Sequence, residues 1–141
     1  MNMMEMVLAL FAVVFFTSVA MMYNRATEDQ TDLLINAGQY VQASHLSHSV
    51  LDEVDAKLFS RQLAFNAVKT NYNTTRNVTL AHTGGNFSMV IHTVECDSLG
   101  VPVAVIPTNN LYIRVRVSTS TQGLKRPVVM QRVYTKTHLN L

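Results

Sequence analysis

Few residues of this 141-residue chain have the types and spacing that catalysis or metal binding requires. Cys96 is the single cysteine, and a nucleophilic role would need a base and an orienting group, so a buried small side chain is the better interpretation. His45 and His48 are spaced to share a metal on one helix face, but no fixed carboxylate accompanies them. His92 and Glu95 would lie on opposite faces of a strand. We therefore predict no enzymatic activity, no metal site and no cofactor.

The acidic residue at position 5 is unusual because it opens a long apolar stretch. Residues 6–24 carry no charge, and a helix of 19 residues is just under ~30 Å long, enough to cross a bilayer. Tyr23 and Arg25 suit the membrane interface at its end. A cleaved signal peptide would carry a positive segment first, and no Lys or Arg precedes Arg25. A plain membrane anchor explains the length but not Glu5, which is costly in lipid unless it is neutralised or paired.

The first 55 or so residues resemble the mature type IV pilins, a family that includes the pseudopilins. Met1 matches the apolar first residue of that family, Met4 the apolar residue before the glutamate, and Glu5 the glutamate at the fifth place. The sequence departs from the family at Asn2, where a small or hydroxyl residue is commoner. It also departs at Met22, where many bacterial pilins have a kinking proline.

The resemblance implies a structural subunit of an extracellular filament on the cell surface, anchored in the inner membrane before assembly. Its implied partners are other pilin subunits in a homopolymer, a prepilin peptidase and the pilus assembly machinery. Glu5 would pair with the Met1 amino group of a neighbouring subunit. The residues expected in the membrane and then in the filament core are Val7, Leu8, Leu10, Phe11, Val13, Val14, Phe15, Phe16, Val19, Met22 and Tyr23. The alternative within the family is a minor pilin or a secretion pseudopilin.

The elements that position these residues are a long helix and a sheet. Apolar residues recur at a mean spacing near 3.6 beyond the apolar stretch, which predicts one helix over about 2–59. The members of this stripe are Leu33, Ala37, Tyr40, Ala43, Leu46, Val50, Val54 and Leu58. We expect a hydrophobic helix at 1–25 and a globular domain at 26–141.

The rest of the chain has the pattern of strands. Strands are predicted at 77–82 and 87–96 around a Gly84-Gly85 turn, at 111–118 by strict alternation, and at 127–136, with a loop over 97–110. About four antiparallel strands with one apolar face need a cover, which the second half of the helix can supply. The predicted fold class is α+β.

The charges divide along the chain, with seven acidic residues and one basic residue up to position 56 and two acidic and ten basic residues beyond. Six basic residues are expected on the outer face of the sheet, namely Arg114, Arg116, Lys125, Arg126, Arg132 and Lys136. They favour a third hypothesis, a membrane-anchored module that binds DNA or another anionic polymer. Contact with the acidic helix of another subunit, or simple solubility, explains them equally well.

Overall fold

The structure is a computed structural model that describes residues 2–81, 85–103 and 111–136. It contains helix α1 (Met3–Phe59), a 3₁₀ turn (Phe65–Ala67), helix α2 (Val68–Asn71) and strands β1 (Thr74–Thr79), β2 (Asn86–Glu95), β3 (Tyr112–Thr121) and β4 (Val128–Thr135). The long N-terminal helix and the four-stranded antiparallel sheet confirm the predicted α+β fold.

The chain forms two compact units, Met1–Ala37 and Gly38–Leu141. Helix α1 passes through both, and Gly38 is the first residue of the second unit. A methyl group added at Gly38 would meet no atom within 4 Å, so nothing in its surroundings requires a glycine there.

The sheet has the strand order β1-β2-β3-β4, in which each strand pairs with the next along the chain. The first hairpin joins Thr79 to Asn86, as the Gly-Gly turn predicts, although residues 82–84 lie outside the described residues. Strand β1 begins at Thr74 rather than at the predicted residue 77. Polar side chains occupy this end of an edge strand, so no apolar alternation marks its start.

One face of the sheet packs on the second half of α1. Val54 and Leu58 of the helix join Ile91, Val115 and Val117 of the strands in a core where each is at most 1% exposed. The helix that the apolar stripe predicts is confirmed, and the stripe is buried or half-buried from Ala43 onward, whereas Leu33 and Tyr40 are 62% and 56% exposed. The strict alternation of β3 is confirmed, with Ile113, Val115 and Val117 buried.

The segment between the helix and the sheet, for which the sequence pattern predicts no element, is helical. The 3₁₀ turn and α2 bring Phe65, Val68 and Tyr72 into the core. Leu63 is buried beside them and donates its backbone N–H to the carbonyl of Lys57 at 3.1 Å. The apolar residues of this segment are too few and too closely spaced to show a period, which is why the sequence did not predict these short helices.

Candidate functional site

The N-terminal part of α1 has an apolar surface on every side. The residues predicted for the membrane and filament core are all exposed, from Val19 at 47% to Met22 and Tyr23 at 72%. A helix that is apolar all round is stable only when lipid or other protein surrounds it. Among the described residues, α1 is the one helix long and apolar enough to cross a membrane.

Glu5 has a local role at the start of this helix. Its Oε2 accepts a hydrogen bond from the backbone N–H of Asn2 at 3.1 Å, and its own N–H donates to the Asn2 carbonyl at 2.9 Å. A glutamate at the third helical position whose carboxylate accepts a hydrogen bond from the N–H of the N-cap residue forms half of a capping box. Its negative charge is also stabilised by the positive end of the helix dipole. The spacing of Asn2 and Glu5 is the sequence signal for this cap. Met1, its predicted pairing partner in a neighbouring copy, lies outside the described residues.

The two aliphatic hydroxyl groups of the apolar stretch, on Thr17 and Ser18, are satisfied within the helix. Thr17 donates to the carbonyl of Val13 at 2.7 Å, and Ser18 donates to that of Val14 at 2.8 Å. A side chain that bonds to the carbonyl four residues earlier needs no partner from outside. Thr17 and Ser18 therefore present no unsatisfied hydroxyl to lipid or to packed helices.

Acidic residues follow the apolar stretch. Glu28, Asp29 and Asp32 are exposed, and no ion pair joins them to any residue that the structure describes. Exposed Leu33 and Leu34 come directly after them. The first unit thus combines exposed carboxylates with an exposed apolar surface.

The acidic residues near the end of α1 form ion pairs within the chain, and Glu53 has the most partners. Its Oε1 accepts hydrogen bonds from Lys57 Nζ at 2.6 Å and Tyr72 OH at 2.9 Å, and its Oε2 accepts one from Arg76 Nη1 at 2.7 Å. The hydrogen bond from Arg76 is the largest cause that lowers the pKa of Glu53, to about 2. Both cations also lie over the Tyr72 ring, 5.5 and 5.3 Å from its centre. This cluster ties the helix to strand β1.

Arg132 of strand β4 also forms ion pairs with acidic residues of α1. Its Nη1 donates to Asp52 Oδ1 at 3.3 Å and pairs with Asp55. Tyr134, two residues on, donates its hydroxyl to the carbonyl of Leu51 at 3.0 Å, and burial raises its pKa. The expectation that all six basic residues share the outer face is therefore wrong for Arg132, because it lies an even number of residues from buried Val128 and Tyr134 and so shares their face, toward the helix.

Of the six basic residues, the structure brings together Arg114 and Arg116. Both lie on the outer face of β3 and line one open groove. Lys125 and Arg126 lie in the β3–β4 connection, and Lys136 follows the end of β4. Since strands β1 and β2 also carry no acidic residue on the outer face, the positive charge of this face is concentrated at the two arginines.

The residues considered for catalysis and metal binding do not form a site. Cys96 is buried, and that burial raises the pKa of its thiol, which disfavours the reactive thiolate. His45, His48 and His92 are exposed. No group of three metal-ligating side chains occurs within residues 2–81, 85–103 and 111–136.

No model of a known protein family, no curated protein and no solved structure matches this chain.

Proposed function

We propose that the chain is a structural subunit of an extracellular filament similar to a type IV pilus, and that it polymerises through the N-terminal part of α1. The observation that carries this proposal is the apolar surface of that part, which is exposed on all sides. Lipid covers it before assembly, and the helices of neighbouring subunits replace lipid afterwards. Burying about 1,000 Å² of apolar surface per subunit contributes about 25 kcal/mol before the cost of ordering.

Glu5 sets the position of each subunit relative to the preceding one in this assembly. Its carboxylate has one oxygen bonded to the backbone of Asn2, and its other oxygen is bonded to no described residue. In the apolar core of a filament such an oxygen needs a positive partner, because an unpaired carboxylate is costly in hydrocarbon. The amino group of Met1 in the preceding subunit is the partner that the resemblance implies. Addition of a subunit in the wrong register leaves both charges unpaired.

The proposal is tested on the surface fibres of cells that make the chain. Shearing the cells and examining the released material by electron microscopy should show filaments, and mass spectrometry should identify this chain as their main component. Recovery of the chain from the membrane fraction alone, with no fibres at the surface, would contradict the proposal. A few copies per fibre would instead identify a minor pilin or a pseudopilin, which shares the fold.

A further inference from the structure

The outer face of the sheet carries a groove of about 480 Å³ next to the two arginines. Arg114 and Arg116 stand two residues apart on β3, so their Cα atoms are about 7 Å apart and their side chains leave the same face. His92 lies opposite Arg116 across the β2–β3 ladder, and Val94 lies opposite Arg114. Arg114, Arg116 and His92 therefore line the same groove.

Arg114 is held in position while part of its hydrogen-bonding capacity stays unused. Its Nη1 donates to the carbonyl of Gly100 at 2.9 Å. Its Nε is buried and has no hydrogen-bond partner. A buried donor without an acceptor costs about 1–3 kcal/mol, so the guanidinium group of Arg114 is only partly satisfied by the protein.

No ion pair joins Arg114 or Arg116 to a carboxylate within the part of the chain that the structure describes. The single acidic residue in the four described strands is Glu95, which shares the face of buried Thr93 and pairs with Lys69 at 3.3 Å. Asp97 accepts backbone N–H groups of its own turn, at 2.9 Å from Leu99 and 2.8 Å from Val101. Among the acids of α1, Glu53 pairs with Lys57 and Arg76, and Asp52 and Asp55 pair with Arg132. The positive charge of the groove is thus left for a ligand.

We infer that this groove binds a tetrahedral oxyanion, a phosphate or sulfate group carried by a larger molecule. A carboxylate has two oxygens and fills one guanidinium fork, whereas a phosphate has enough oxygens to accept from two arginines and from the hydroxyl of Ser118, which also lines the groove. Val90, Val94 and Pro102 line the rest of it, so the body that carries the anion lies against an apolar wall. This inference does not depend on filament formation.

The test is a calorimetric titration of the full chain in nonionic detergent with inorganic pyrophosphate. We expect binding with a Kd below about 1 mM. Arg116→Gln should weaken it at least about tenfold, and Arg116→Lys should recover only part of the loss because an ammonium group lacks the fork. Arg61→Gln removes the same charge from an exposed residue outside the groove and should leave the affinity unchanged.

Two arginine variants separate loss of binding from loss of folding. Arg116 is exposed, so its replacement should leave the fold intact. Arg114→Gln also removes the hydrogen bond to Gly100, so its circular dichroism is compared with that of the wild type. The inference is overturned if pyrophosphate does not bind, if Arg116→Gln binds it as the wild type does, or if succinate binds as tightly as pyrophosphate.

A short DNA duplex in place of pyrophosphate identifies the source of the group. Binding of the duplex that pyrophosphate displaces and that Arg116→Gln weakens assigns the groove to a phosphodiester chain. Binding of pyrophosphate without binding of the duplex assigns it to a small phosphorylated or sulfated compound. Both results support the oxyanion site.

Discussion

Glu53 of helix α1 and Arg76 of strand β1 are joined by a charged hydrogen bond of 2.7 Å between Oε2 and Nη1. The bond connects residues 23 positions apart in the sequence and fastens the edge strand of the sheet to the helix that covers it. Lys57 and Tyr72 complete the cluster on the other carboxylate oxygen.

The first prediction concerns acid stability. The pKa of Glu53 is lowered from 4.5 to about 2, so the folded state favours the ionised carboxylate. Its contribution to stability is fully present above pH 4.5 and is lost as the pH falls toward about 2. Because the side chain is 34% exposed, solvent screens the interaction, and we expect Glu53→Gln to cost about 1–2 kcal/mol at neutral pH.

The measurement is denaturant unfolding of the full chain in nonionic detergent at several pH values. The stability of Glu53→Gln should fall less steeply than that of the wild type between pH 4.5 and about 2. Glu28→Gln is the matched control, since Glu28 is exposed and has no ion pair among the described residues. Parallel pH curves for wild type and Glu53→Gln would contradict the role of the cluster.

The second prediction concerns a hydroxyl pair in the core. Ser47 of α1 and Thr119 of β3 are fully buried, and their hydroxyl oxygens are 2.7 Å apart. Ser47 also lies 2.8 Å from the carbonyl of Ala43, to which it donates. Ser47→Ala leaves the Thr119 hydroxyl without this partner and should cost about 1–3 kcal/mol.

A double-mutant cycle measures the coupling of this pair. Thr119→Val alone should cost about 1 kcal/mol, and the double variant Ser47→Ala, Thr119→Val should cost less than the sum of the single changes, because no buried donor is then left unpaired. Strictly additive losses in the free energy of unfolding would show that the two hydroxyl groups act independently.

The third prediction concerns Gly38, an exposed glycine within α1. Since an added methyl group meets no atom within 4 Å, Gly38→Ala should stabilise the helix by about 0.5–1 kcal/mol. Ala56→Gly, at an exposed position of the same helix, should lower the stability by a similar amount. Thermal unfolding followed by circular dichroism measures both. A loss of stability in Gly38→Ala would mean that this position needs a conformation that alanine disfavours.

The sequence predicted the helices and strands of the fold better than it predicted the face of the sheet on which each charged residue lies. The apolar run and the later period of 3.6 predicted α1 to within a residue at its start, and the alternation of apolar and polar residues predicted β3. In both cases the order of apolar and polar residues along the chain follows the period of the element. Arg132 and Arg76 were not predicted to face the helix. Their partners Asp55 and Glu53 are distant in sequence, and the register that brings them together depends on the packing of the whole sheet.

The groove on the outer face was predicted in part. The alternation of β3 placed Arg114 and Arg116 on one face, but it could not show that Arg132 would be neutralised while these two would not. Nor could it show that Gly100, in a loop after β2, would hold Arg114 by its carbonyl. Such a contact joins a loop and a strand whose relative position no local pattern encodes.

The most direct test of filament assembly separates the two roles of Glu5. Glutamine can accept the same hydrogen bond from the backbone N–H of Asn2, so Glu5→Gln keeps the cap and removes only the charge. Filament yield, measured by electron microscopy of sheared surface material, should fall at least about tenfold in Glu5→Gln, while the amount of chain in the membrane stays at the wild-type level. Wild-type filament yield in Glu5→Gln would show that Glu5 serves as a helix cap alone and would contradict assembly through its charge.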